Sequence, residues 1–196
     1  MFSILTTRFD DYTWSENINF REKNNLQGCI YGSPQTLSPK IIQDSLVFVI
    51  EMNNSTNQIQ GIGAIKNTIR LDKYFRVYET GNFNRYVFRG KHRISRDKLL
   101  QLNEPLVTIL DYILFKEKTH LKRGAGFTQI PENLLKHKKC ENMDIPTMIK
   151  DMFLQIFDII IEPFNFDTVN KFDKMTDFDK TTEKKELKKR RLIIEE

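Results

Sequence analysis

LVFVIEMNNSTNQIQGIGAIKN, residues 46–67, reads as two strands joined by a polar turn. Residues 46–50 form an unbroken apolar run rich in β-branched and aromatic side chains, the pattern of a strand covered on both faces. Asn53, Asn54, Ser55, Thr56 and Asn57 follow. Asn and Ser bond their own main chain and tolerate left-handed backbone, so the chain turns there. In the second strand Ile59, Gly61 and Gly63 alternate with Gln60, Ile62 and Ala64. Glycine inside a strand marks a bulge, a sharp bend or close packing against the backbone. A buried hairpin bent by glycines suits a small closed barrel better than a flat open sheet. The expected class is therefore α+β, built on a small β-barrel.

On the N-terminal side, residues 1–8 alternate enough for an edge strand. Residues 10–26 are polar and hold the only tryptophan, Trp14. An indole in such a stretch either caps the core from a loop or forms one wall of an aromatic pocket, with Ser15 as a polar handle beside it. Residues 28–39, GCIYGSPQTLSP, read as loop, and 40–44 as a turn of helix feeding the hairpin. On the C-terminal side, 74–79 and 85–91 are further strand candidates. Ser95 then caps a helix. A helix restarts at Glu104 and Pro105, with Leu106, Ile109, Leu110, Ile113 and Leu114 on one face. Pro146 opens a last one, carrying Ile149, Met152, Phe153, Ile156 and Phe157 at helical spacing. Residues 1–164 thus read as one domain, with the barrel over about 1–94 and a helical part over about 95–164. Residues 165–196 read as a polar, charged tail, and its basic cluster (Lys184, Lys185, Lys188, Lys189, Arg190, Arg191) as a solvated helical face.

Hydrophobic residues at 39% and charged residues at 29% are the balance of a globular domain with a core. The apolar runs are far shorter than the roughly 20 residues a membrane helix needs. No secretory signal is legible at the start, and Cys29 and Cys140 lie far apart, which implies reduced thiols in the cytoplasm or nucleus. The net charge is +5, but residues 66–96 carry nine Lys/Arg against Asp72 and Glu79, so that segment is +7 and the rest of the chain sums to −2. Within it Tyr74, Phe75, Tyr78, Phe83, Tyr86 and Phe88 are interleaved with cations. Rings stack on bases while cations meet phosphates, so Arg70, Lys73, Arg76, Arg85, Arg89, Lys91 and Arg93 read as contacts to a nucleic-acid backbone. The glycine-rich loop KRGAGF, residues 122–127, adds Lys122 and Arg123 as candidates of the same kind. His120, His137 and Cys140 are too scattered for a zinc site, and no metal or cofactor is expected. Nucleophile, base and carboxylate cluster do not converge, so the chain does not read as an enzyme.

The order of these features resembles the YTH and EVE branches of the PUA-like superfamily, small β-barrels flanked by helices. The resemblance rests on the Trp14–Ser15 pair, the strand LVFVIEMN, the Asn/Ser turn, the strand QIQGIGAI and the later RYVFRGKHRI, and spans roughly residues 3–100. YTH members read N6-methyladenosine in RNA through an aromatic cage. Carried over, the resemblance makes Trp14 the first cage wall, Ser15 the adjoining polar contact and Asn53 the strand-end asparagine, with Gly61 and Gly63 on the glycine strand. Glu16 stands where the YTH pattern has Thr, and the second wall falls to Tyr74, Phe75 or Tyr78. The Asn-, Lys-, Ile- and Phe-rich style also resembles proteins of large DNA viruses.

The expectation that follows is a nucleic-acid-binding module that takes a modified base into an aromatic pocket with a basic rim, RNA ahead of DNA as partner. The alternative is a non-catalytic structural or scaffold component, binding protein through its C-terminal half.

Overall fold

The computed structural model describes residues 2–118, 120–141 and 143–157. In chain order its elements are β1 (Phe2–Phe9), α1 (Asp11–Lys23), β2 (Cys29–Ser33), β3 (Leu46–Asn53), β4 (Gln58–Lys66), a 3-10 turn (Gly81–Asn84), β5 (Tyr86–Gly90), β6 (His92–Ser95), α2 (Arg96–Phe115), β7 (Thr128–Gln129), α3 (Glu132–Leu135), a second 3-10 turn (Lys138–Cys140) and α4 (Ile145–Phe157). Five strands make one mixed sheet in the order β6-β4-β3-β1-β7, with β1 parallel to β3 and the other pairs antiparallel. Strands β2 and β5 form a separate antiparallel pair.

Side chains on a strand alternate between its faces, and β3 uses both. Phe48, Ile50 and Met52 join a core with Leu99, Leu110, Ile113 and Phe153 from α2 and α4. Val47 and Val49 join a second core with Tyr31, Val87 and Phe88 from the β2–β5 pair. Each fully buried side chain of this size contributes about 1.5–3 kcal/mol, which is why the strand has no polar face to show. The turn forms where the asparagines stand, with Asn57 in the left-handed region at φ +53°. Register slips by one residue after it: Met52 pairs Ile59 while Glu51 pairs Gly61. Gln60 is thus the extra residue of a bulge, and the bulge lets Ile59 and Ile62, three apart, reach the same core.

The expected barrel is not formed. Among the described residues the large sheet stays open, ending at β6 on one side and β7 on the other. The glycines serve close stacking instead of closure. A Cβ on Gly63 would stand 2.1 Å from the Tyr31 hydroxyl and 2.6 Å from Cys29 Sγ, and one on Gly90 would stand 1.8 Å from the Ala64 carbonyl oxygen. Bare backbone at these points lets the β2–β5 pair settle directly on the large sheet.

Other readings change with it. Residues 1–8 are not a bare edge: β1 pairs β3 along its whole length and meets β7 at Leu5 and Thr6. The polar segment around Trp14 is the helix α1, and part of the expected loop at 28–39 is β2. Residues 74–79 are not a strand; the backbone N–H groups of Val77 and Tyr78 donate to Asn84 Oδ1, both at 2.9 Å, so a buried side chain takes the place of a ladder. Residues 40–44 form turns, with Asp44 at φ +61°. The helical restart does occur: Asn103 leaves helical geometry at φ −160°, ψ 78°, and its Oδ1 accepts the Leu106 N–H at 3.0 Å. Strand β3 and the helices α2 and α4 share one of the two cores. The tail over 165–196 lies outside the described residues. Among those residues no helix is long and apolar enough to cross a membrane.

Candidate nucleic-acid interface

Six exposed cations lie on the irregular segment 67–80 and on or beside β5. Arg70, Lys73 and Arg76 on the segment are exposed, as are Arg85, Arg89 and Lys91 on and beside β5. The Arg70 N–H donates to the Val87 carbonyl at 2.8 Å, which lays the segment along β5. Aromatics support the charges: Lys73 Nζ lies 5.1 Å from the ring centre of buried Phe75, and the Arg85 guanidinium 5.4 Å from that of Tyr86. Tyr74 and Leu71 point outward and are 70% and 87% exposed. Arg70 pairs with Asp72 at 2.9 Å, but both are largely in water, where such a pair adds about 0–1 kcal/mol. The face therefore keeps most of its positive charge available.

Arg93 is not part of that face. The Arg93 guanidinium is half-buried and donates to the Glu51 carboxylate from Nε at 2.9 Å and from Nη2 at 2.6 Å, and from Nη2 also to the Gln60 carbonyl at 3.0 Å. Tyr31 donates to the same carboxylate at 2.7 Å. Burial works against the charge on Arg93, and Glu51 more than offsets it, holding the guanidinium well above its ordinary value. Burial, then the Glu51 charge, pushes the neighbouring Cys29 thiol up to about 12. Burial likewise drives Tyr31 well above its ordinary range. A carboxylate, a phenol and a thiol are thus enclosed between the two sheets, with the Arg93 guanidinium closing them off from the cleft outside.

Trp14 lies over this cluster. Asp10 caps α1 by accepting the Thr13 N–H at 2.8 Å, and Trp14 follows in the first turn. Its indole packs edge-on to Phe9 at 5.1 Å, with the guanidinium carbons of Arg21 and Arg93 at 5.5 and 5.6 Å from the ring centre. The ring borders an open cleft of about 660 Å³ shared with Ile18, Arg21, Gln60, Arg93 and Arg96.

The rings proposed for a cage do not come together there. Tyr74 is on the surface and Phe75 in the core. Tyr78 is buried, its hydroxyl accepting from Asn17 Nδ2 at 3.1 Å, and it borders a different pocket of about 210 Å³ with Phe9, Thr13, Asn54 and Phe83. Ser15 is exposed and donates to the Asp11 carbonyl at 2.7 Å. Asn53 is spent on the turn: its Oδ1 accepts the Ser55 N–H at 2.9 Å and its Nδ2 donates to Asp11 at 3.0 Å. Lys122 is half-buried and Arg123 exposed, on a loop whose Gly124 and Gly126 have φ +100° and +72°. His120 Nδ1 accepts the Lys122 N–H at 3.4 Å, His137 faces Glu117 at 3.2 Å, and Cys140 is buried. No group of three or more metal-ligating side chains occurs among the described residues.

Two residues of this region escape a sequence reading. Glu51 sits inside an apolar run, and only its strand parity, shared with Val47 and Val49, shows that it points inward. Arg21 has no such signal, because α1 buries just one residue fully, Asn17. No protein-family model matches the chain, nor does any curated protein or solved structure.

Proposed function

We propose that the protein binds single-stranded nucleic acid across the face made by residues 67–80 and β5. One observation carries the reading: Tyr74 projects into solvent on the segment that bears exposed Arg70, Lys73 and Arg76, and that segment bonds through Arg70 to β5, on or next to which Arg85, Arg89 and Lys91 are exposed. An outward ring offers a stacking platform to any base, and cations around it follow the phosphates. The oligomer lies along the segment with Tyr74 under one base. Arg85, Arg89 and Lys91 meet its backbone.

The test is binding of labelled single-stranded RNA and DNA oligomers at rising salt. Six exposed cations, at about 0.7 per phosphate contact, give a log–log slope of up to about −4. Tyr74→Ala is expected to cost about 1–3 kcal/mol. Arg89→Gln is expected to make the slope shallower by about 0.7. Absence of binding at low salt, or binding indifferent to both changes, overturns the reading. A partner captured from extract that survives nuclease and high salt would favour the alternative, a component that binds protein through its C-terminal half.

A further inference from the structure

The cleft beside Trp14 holds one arginine without an ion-pair partner among the described residues. Arg93 is matched by Glu51, and Arg96 by Asp111 at 2.8 Å. Arg21, half-buried in the same cleft, has no ion-pair partner among the described residues. Its Nε donates to Asn17 Oδ1 at 3.0 Å, and among the described residues its two Nη groups donate to nothing. The other charged groups lining the cleft, Glu22 and Asp97, are exposed at its rim. Burial, then the charge on Arg93, lowers the proton affinity of Arg21, and the Glu51 charge offsets part of this. Asn17 holds the guanidinium at Nε, which leaves its two Nη groups to act as a fork toward the cleft.

We infer that this cleft is an oxyanion site, in which Arg21 receives a phosphate group beside Trp14 and Arg93. A guanidinium fork matches two phosphate oxygens, and a dianion gains twice the Coulomb attraction of a carboxylate from each nearby cation. The cleft, at about 660 Å³, is open enough for a phosphate that carries further groups. The site does not depend on the Tyr74 face and can be right or wrong separately from it.

Trp14 is the only tryptophan in the chain and touches both guanidinium groups, so its emission reports on occupancy. The full-length protein is titrated with inorganic phosphate and, at matched ionic strength, with acetate and chloride. Phosphate is expected to give a saturable change and the other two none. Arg21→Gln should weaken phosphate at least about tenfold. Arg21→Lys, which keeps the charge without the fork, should weaken it severalfold. Lys23→Gln, exposed in the same last turn of α1, should bind as wild type. Unfolding midpoints check that the variants fold, and phosphorus NMR line broadening of phosphate with the wild type needs no variant. A 5′-phosphorylated dinucleotide that binds more tightly than both its 5′-hydroxyl counterpart and inorganic phosphate identifies a nucleic-acid end as the source. Equal affinity for inorganic phosphate identifies the free anion. No saturable change with phosphate, an equal response to acetate, or wild-type affinity in Arg21→Gln overturns the inference.

Discussion

Gly63→Ala measures how tightly the β2–β5 pair rests on the large sheet. The added methyl would sit 2.1 Å from the Tyr31 hydroxyl and 2.6 Å from Cys29 Sγ, in a region where both neighbours are at most 1% exposed. Tyr31 cannot retreat without releasing Glu51, to which it donates at 2.7 Å. Overpacking of this kind costs about 1–3 kcal/mol. The charge-assisted hydrogen bond adds about 1.5–3 kcal/mol. A loss of about 3–5 kcal/mol is expected, a large share of the roughly 5–15 kcal/mol that holds a domain together. The assay is urea unfolding, read as a lowered midpoint at unchanged slope. Heating should show the same loss at about 2–4 °C per kcal/mol for a chain of this size. Adding Tyr31→Phe removes the nearest clashing atom and should recover about 1 kcal/mol relative to additivity. A Gly63→Ala protein within about 0.5 kcal/mol of wild type, or strict additivity in the double variant, refutes the close-stacking account.

Cys29 gives a pH test. Its folded thiol titrates at about 12, against 9.0 ordinarily. Below 9 both states keep the proton and the effect is nil; above 9 the unfolded chain loses it while the folded one holds it, so stability falls as pH rises toward 12. The difference between wild type and Cys29→Ala should therefore shrink by up to about 1.4 kcal/mol per pH unit between roughly pH 9 and 11, and a flat difference contradicts the buried thiol. Asp10→Ala removes the capping box of α1 and should cost about 1 kcal/mol in the same unfolding assay, with no change in slope.

The hairpin, the restart at Pro105 and the last helix were legible because each is written locally: an apolar run bounded by asparagines, a proline after Asn103, a stripe at helical spacing. Helix α1 was not, since Asn17 is its one fully buried residue and no apolar stripe marks it. Its cap, Asp10 with Thr13, was a readable signal that the polar composition around Trp14 obscured. The barrel expectation failed at Gly63 for a different reason. A glycine announces that something approaches the backbone but not what, and here it is a second sheet from distant sequence. The cations of 70–93 were read from charge and the rings between them; which of them are free was not, because Arg93 is claimed by Glu51 across 42 residues.

Arg8 bears on how the molecule avoids sticking to itself. From β1 it reaches across to the Leu121 and Gly126 carbonyls and the Thr128 hydroxyl, and so ties down the loop that delivers β7. That two-residue strand is the outer partner of β1, covering Leu5 and Thr6. A strand with an uncovered flank is a template for pairing with another molecule. The guanidinium thus acts as a latch on a short edge guard, holding β7 over the middle of β1.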